Sequence, residues 1–244
     1  MFLIIKKVNL YIVLGCFALI AVILIFVAAN FKTANSLDVP TVDIVLDAGH
    51  GSSDAGASGK NGSIEKEINL AITLKLRDKL IAEGITVGLT RENDNSLADS
   101  KKKDMHYRRD FAIASNPKLF VSIHQNTFPE SQYRGAQVWY SKNNAESKNF
   151  AQNMQSALIE TNPTTKREAK KAESNIFLLK HLTMPAIIIE CGFLTNYQEE
   201  QLLMQDTYQD KLAEIIKKGI ADELERLETI PTPSPITSTT PSLT

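Results

Sequence analysis

Three short apolar runs, VDIVLD (42–47), LFVSIH (119–124) and AIIIE (186–190), constrain this chain more than any other feature. Each is continuously apolar over most of its length instead of alternating with polar residues, which is the pattern of a strand buried on both faces. Longer amphipathic stretches separate them. Over residues 64–83, Ile68, Ile72, Leu76 and Leu80 recur at every fourth position, which aligns one apolar face of a helix, and Gly84 is placed to end it. ITVGLT (85–90) and GAQVWY (135–140) read as further strands, 105–114 and 144–160 as helices, and two more helical stretches follow from Gln198. Buried strands alternating with helices predict an α/β protein, a three-layer α/β/α sandwich around a mainly parallel sheet.

The ends are of a different character. Residues 10–29 (LYIVLGCFALIAVILIFVAA) are uncharged, and at ~1.5 Å rise per residue such a helix spans a ~30 Å hydrocarbon core. Lys6 and Lys7 precede it, so the positive-inside rule puts the N-terminus in the cytoplasm and everything after the span outside. The expectation is an N-terminal transmembrane helix. A cleavable signal peptide is the alternative, but its apolar region is usually ~7–15 residues, shorter than this one. Val13-Leu14-Gly15-Cys16 has a faint likeness to a lipoprotein processing site, yet apolar residues continue past Cys16 where a polar tether belongs. The other cysteine, Cys191, lies in the distal part and does not pair with Cys16, so the exported domain must be held by its own core or by a metal, and it is long enough to build such a core.

These features divide the chain into a membrane anchor over 1–30, a polar tether over 31–41, one globular domain over 42–228 and a flexible Pro/Ser/Thr-rich tail over 229–244. The first 32 residues hold three of the 27 basic residues and no acids, which leaves 24 basic against 28 acidic residues beyond them. A mildly acidic surface without a dense basic cluster repels a phosphate backbone, so nucleic acid is excluded as the main partner.

Chemistry-bearing residues gather at strand ends. His50 lies just beyond the first strand, His124 ends LFVSIH, and Glu190 ends AIIIE. Ligands of open α/β sheets collect outside the carboxyl ends of strands, so these residues converge. Glu65 joins them from the first turn of the following helix, although Glu67 is an equally available rival on spacing alone. Two imidazoles and a carboxylate suit a catalytic Zn²⁺ with an open fourth position, and the remaining carboxylate can serve as base. Any one of these residues alone reads more simply as a core histidine or a helix-start acid. Glu190 is the exception, because a carboxylate directly after AIII is costly to bury without a partner. His106 and His181 lie in polar or helical stretches away from the strand ends and are left out. The loop GSSDAGASGKNGS (51–63) has four glycines but neither a P-loop ending nor a clean Gly-x-Gly-x-x-Gly, and reads as close backbone approach around a metal site.

IVLDAGHG with Glu65-Lys66 following, SIHQN, and PAIIIECGFLTN together resemble the zinc-dependent N-acetylmuramoyl-L-alanine amidases of bacterial cell walls. The likeness covers roughly residues 42–224. It implies Zn²⁺ as cofactor, His50, Glu65 and His124 as its ligands and Glu190 as the catalytic base, and so prefers Glu65 over Glu67. Where the family often has Asp-Pro-Gly-His-Gly-Gly, this chain has Asp47-Ala48-Gly49-His50-Gly51-Ser52, a departure that removes no ligand. GAQVWY, FLLKHLTMPAIIIECGFLTN and YQDKLAEIIKKGI are similar to the sporulation-linked branch, which trims spore-cortex peptidoglycan. The resemblance implies hydrolysis of the amide between the lactyl group of N-acetylmuramic acid and L-alanine. The implied setting is a membrane-anchored enzyme of the spore envelope, with peptidoglycan as substrate and room for a regulatory partner protein. A zinc exopeptidase on free peptides and a wall- or partner-binding module without turnover are the alternatives.

Overall fold

The computed structural model describes residues 18–23, 25, 39–95, 97–173 and 175–229, in two units, 1–39 and 40–244. In the first unit, residues 18–23 and 25 are helical, with Leu19, Ile20, Val22, Ile23 and Ile25 exposed. Among the described residues no helix is long and apolar enough to cross a membrane. Most of the expected span 10–29 lies outside the described residues, as do Lys6, Lys7 and all of the expected tail but Thr229.

The second unit runs β1 (Ile44–Ala48), α1 (Glu65–Ala82), β2 (Val87–Leu89), α2 (Lys101–Ala114), β3 (Leu119–Asn126), β4 (Gln137–Tyr140), α3 (Glu146–Ile159), β5 (Lys170–Lys171), α4 (Phe177–His181), β6 (Ala186–Phe193), α5 (Tyr197–Leu203) and α6 (Asp206–Thr229). The strands form one sheet in the order β2-β1-β3-β6-β4-β5. The sheet is mixed. Pairings β1–β2, β1–β3, β3–β6 and β4–β5 are parallel, and β4–β6 is antiparallel. The reason lies in the connection over 127–136, which has no helix. A parallel return needs a crossover of about a dozen or more residues, usually helical. The chain therefore turns back at the end of β3 and enters β4 in the opposite sense. Two elements fall outside the sequence expectation: β5 is two exposed lysines and α4 is a single short turn. Helix α2 also begins four residues before the expected start, because Ser100 caps it by accepting from the Lys103 N–H at 3.4 Å.

Strand alternation divides the core between the sheet's two faces. Leu119, Val121 and Ile123 enter the larger cluster, with Ile72 and Leu76 of α1, Phe150 and Met154 of α3, and Ile216 and Ile220 of α6. Val45, Phe120 and Ile188 enter the smaller one, with Ala112 of α2 and Leu178 and Leu179 of α4. His124 continues the series of Phe120, and Glu190 that of Ile188, so both belong to the thinly covered face.

Candidate active site

The site is built outward from the end of β1. His50 (φ 62°), Gly51 (φ 134°) and Ser52 (φ 52°) all adopt left-handed backbone, and such conformations in non-glycine residues cost on the order of 1–3 kcal/mol each. Two arginines hold the turn against that cost. Arg108 donates to Ala48 O at 2.8 Å, to His50 O at 2.6 Å and to Asp47 Oδ1 at 2.6 Å. Arg91 donates to Ala48 O at 2.8 Å, Gly49 O at 3.0 Å and Lys66 O at 2.8 Å. Three successive carbonyls, the last of β1 and the two that follow, thus find guanidinium donors. The glycines mark close approach, since a Cβ at Gly49 would lie 2.2 Å from the His124 ring and one at Gly56 2.6 Å from Glu65 Oε2.

Glu65 opens α1 and is 4% exposed. Its Oε2 lies 3.2 Å from His50 Nε2 and accepts from the Ala57 N–H at 2.8 Å. Its Oε1 lies 3.0 Å from His124 Nδ1 and accepts from the Gln125 N–H at 3.1 Å. Glu67 is exposed, so the helix itself separates two acids that spacing could not. Burial alone would raise the Glu65 carboxyl, but its contacts with His124 and His50 outweigh burial and hold it well below the usual carboxylate range. His50 is shifted the opposite way: burial lowers its affinity for a proton, and Glu65 and Asp54 more than restore it.

The donor atoms of His50, Glu65 and His124 lie within 4.8 Å of one another. Ligands ~2.0–2.1 Å from one tetrahedral zinc stand about 3.3–3.4 Å apart, close to the observed His–Glu separations. Asp54 Oδ2 lies 3.0 Å from His50 Nδ1. A carboxylate can only accept, so Nδ1 carries the hydrogen and Nε2 is directed at the cluster, the usual orienting arrangement behind a metal-binding histidine. The residues fit a zinc ion in donor type, spacing and orientation.

Glu190 faces His124 across the β3–β6 ladder, and its Oε2 is buried without a hydrogen-bond partner. Burial, reinforced by the nearby charge of Glu65 and opposed by His124 and His50, pushes its carboxyl up to about 7. Beside the histidines a cavity of about 310 Å³ opens between α2 and α4, lined among others by Met105, Phe177, Leu178 and Ile188. His106 and His181 instead flank Phe177, at ring separations of 5.0 and 4.3 Å. The Asn126 side chain accepts from the next residue's N–H at 2.8 Å and so caps its own turn. Sequence reasoning missed Asp54, Arg91 and Arg108. Asp54, four residues after His50 in a glycine-rich loop, carried a usable signal; the arginines sit in polar segments that look solvated.

The N-acetylmuramoyl-L-alanine amidase family model matches residues 44–222. The germination-specific N-acetylmuramoyl-L-alanine amidase of Bacillus subtilis is 37% identical over 185 residues, covering 72% of this chain and 77% of that protein. The CwlD amidase from Clostridioides difficile, solved in complex with the GerS lipoprotein, superposes with a TM-score of 0.71 at 40% identity, over 76% of this chain and all of that one. The catalytic domain of CwlV from Bacillus (Paenibacillus) polymyxa var. colistinus gives 0.67 at 33% identity, over 75% and 97%. With a match spanning most of the folded unit, this chain belongs to the N-acetylmuramoyl-L-alanine amidase family.

Proposed function

We propose that this enzyme cleaves the amide bond between the lactyl group of N-acetylmuramic acid and the L-alanine of the peptidoglycan stem peptide, as a zinc enzyme of the spore cortex. The observation that carries the reading is the buried Oε2 of Glu190, without a hydrogen-bond partner, on the strand beside the His50–Glu65–His124 cluster. When bound by those three residues, Zn²⁺ supplies a water of pKa lowered to about 7 and a polarised scissile carbonyl. Glu190 takes the proton of the attacking water and returns it to the departing alanine amine. Asp54 keeps His50 in the tautomer the cluster needs, and Arg91 and Arg108 keep its backbone in place. The products are peptide-free glycan and a stem peptide that begins with L-alanine.

Incubating the purified full chain with peptidoglycan and identifying the released fragments by mass spectrometry tests this. Free stem peptides starting at L-alanine are expected. Fragments that retain muramic acid, or trimming confined to free peptides, would overturn it in favour of another bond or an exopeptidase.

The cortex setting is supported by the germination-specific relative, and a regulatory protein partner by the CwlD–GerS complex. Lys6-Lys7 before the uncharged span supports a single-pass anchor with the N-terminus cytoplasmic and the catalytic domain outside. Recovery of a mature chain beginning near residue 30 in the soluble exported fraction would refute the anchor.

A further inference from the structure

Among the described residues, the exposed phenylalanine and tyrosine side chains are Phe128 (41%), Tyr133 (40%) and Tyr197 (65%). All three lie in segments that leave β3 and β6, the strands that carry His124 and Glu190. The rings of Phe128 and Tyr133 are 4.3 Å apart and tilted by 57°, and Tyr133 stands 6.5 Å from the buried ring of Phe193, over which Arg167 also sits at 4.7 Å.

The segment is tied down along its length. The Phe128 N–H donates to Thr195 Oγ1 at 3.1 Å, Asn196 Nδ2 to Ser131 O at 2.8 Å and the Gly135 N–H to Glu199 Oε1 at 2.8 Å. Glu199, buried, also accepts from the Phe193 N–H at 2.8 Å, so one carboxylate joins the aromatic loop to the end of β6. Asn126 pairs with Phe193 two residues beyond His124, about 7 Å along the strand, and Phe128 follows two residues later. The rings are thus held at a fixed offset from the reacting groups.

We infer that Phe128 and Tyr133 form a stacking platform for the glycan chain that continues from the reacting muramic acid. The inference rests on the amidase reading above and names where the polymer lies. Apolar C–H faces of pyranose rings stack on aromatic faces, while their hydroxyl and acetamido groups need polar neighbours. The loop TFPESQYRG (127–135) supplies both, with two rings among Thr127, Glu130, Ser131, Gln132 and Arg134 and no aliphatic residue other than Pro129. A protein-docking patch calls for a broader continuous apolar area. Rigid aromatic anchors lose little conformational entropy on binding, and pre-ordering by Thr195, Asn196 and Glu199 lowers that cost further.

The test titrates the full chain, with and without zinc, with peptide-free GlcNAc–MurNAc oligomers, and compares turnover of long peptidoglycan chains with that of muramyl dipeptide. Phe128→Ala and Tyr133→Ala should each weaken glycan binding about two- to tenfold, Phe128→Leu should behave like the alanine variant, and Tyr133→Phe like the parent. The loss in kcat/KM should grow with glycan length. Undiminished glycan binding by the double alanine variant, equal losses on muramyl dipeptide and long chains, or a loss confined to a protein partner would each overturn the platform. If the parent chain loaded with zinc releases no peptide from either substrate, the amidase reading fails instead, and the titration, which needs no turnover, still decides the platform.

Discussion

On one face of the sheet Ile72, Leu76, Phe150, Met154, Ile216 and Ile220 form a continuous aliphatic and aromatic layer under three helices. On the other, beneath α2, the buried side chains include Asp47, Ser122 and Arg108, joined by hydrogen bonds of 2.6 Å from Arg108 and Ser122 to Asp47. Full burial of each large apolar side chain stabilises by about 1.5–3 kcal/mol, whereas a buried ion pair contributes little net stability. The thick face supplies stability, and the thin face uses polar groups to fix the turn that presents His50. The candidate site lies on the second kind of surface, where the Glu190 Oε2 is buried without a hydrogen-bond partner and the rest of the fold tolerates the cost.

The sharpest way to probe that division is at Glu190. Glu190→Gln keeps shape but removes basicity, so it should retain zinc while losing on the order of 10²–10⁴-fold in rate. His50→Ala, Glu65→Ala and His124→Ala should lose metal and activity together, and Glu67→Gln neither. Metal analysis beside peptide release separates the groups; a Glu190→Gln protein without zinc, or an active Glu65→Ala, would reverse the assigned roles.

The thick face should answer differently. Leu76 is fully buried in the larger cluster, and Leu76→Ala should cost about 2–5 kcal/mol of stability while the rate per folded molecule stays near that of the parent. Denaturant unfolding together with active-site titration by zinc checks this. A parallel fall in metal affinity would show that the two faces are coupled and the division false.

How much of this the sequence reveals follows from the same division. The thick face is written in periodicity: Ile68, Ile72, Leu76 and Leu80, and the alternate residues of LFVSIH, announce their neighbours by hydrophobicity alone. His124 and Glu190 were legible because each is a polar residue closing an apolar run, although the strands do not end there as expected: β3 continues two residues past His124 and β6 three past Glu190. The sense of β4 was not read, since GAQVWY looks the same in either direction and only the helix-free connection before it decides. Arg108 was overlooked in DMHYRRD, where a charged helix start resembles a solvated one; its partner Asp47 ends an apolar run and could have prompted a search for a buried cation. Asp54 and Arg91 act through loops whose path no periodicity encodes.

The smallest expected effect concerns acid. Burial alone would raise the Asp47 carboxyl, but the charge of Arg108 and the hydrogen bonds from Ser122 and Thr90 outweigh it and lower the group from 3.8 to about 2. The folded chain therefore binds this proton less readily than the unfolded chain. The stability involved is fully present above about pH 4 and is lost as the pH falls through about 2; it amounts to on the order of 2 kcal/mol. Asp47→Asn removes the titrating group, so its stability should fall less steeply between pH 4 and 2 than the parent's, even though it starts lower with Arg108 left uncompensated. Leu76→Ala should instead run parallel to the parent at every pH, because no titrating group has changed. Unfolding of zinc-free protein along this pH range measures all three without interference from metal release. Parallel curves for Asp47→Asn and the parent would mean that the thin face is not held by the Asp47–Arg108 pair, and that the turn presenting His50 rests on the bonds Arg108 and Arg91 make directly to its carbonyls.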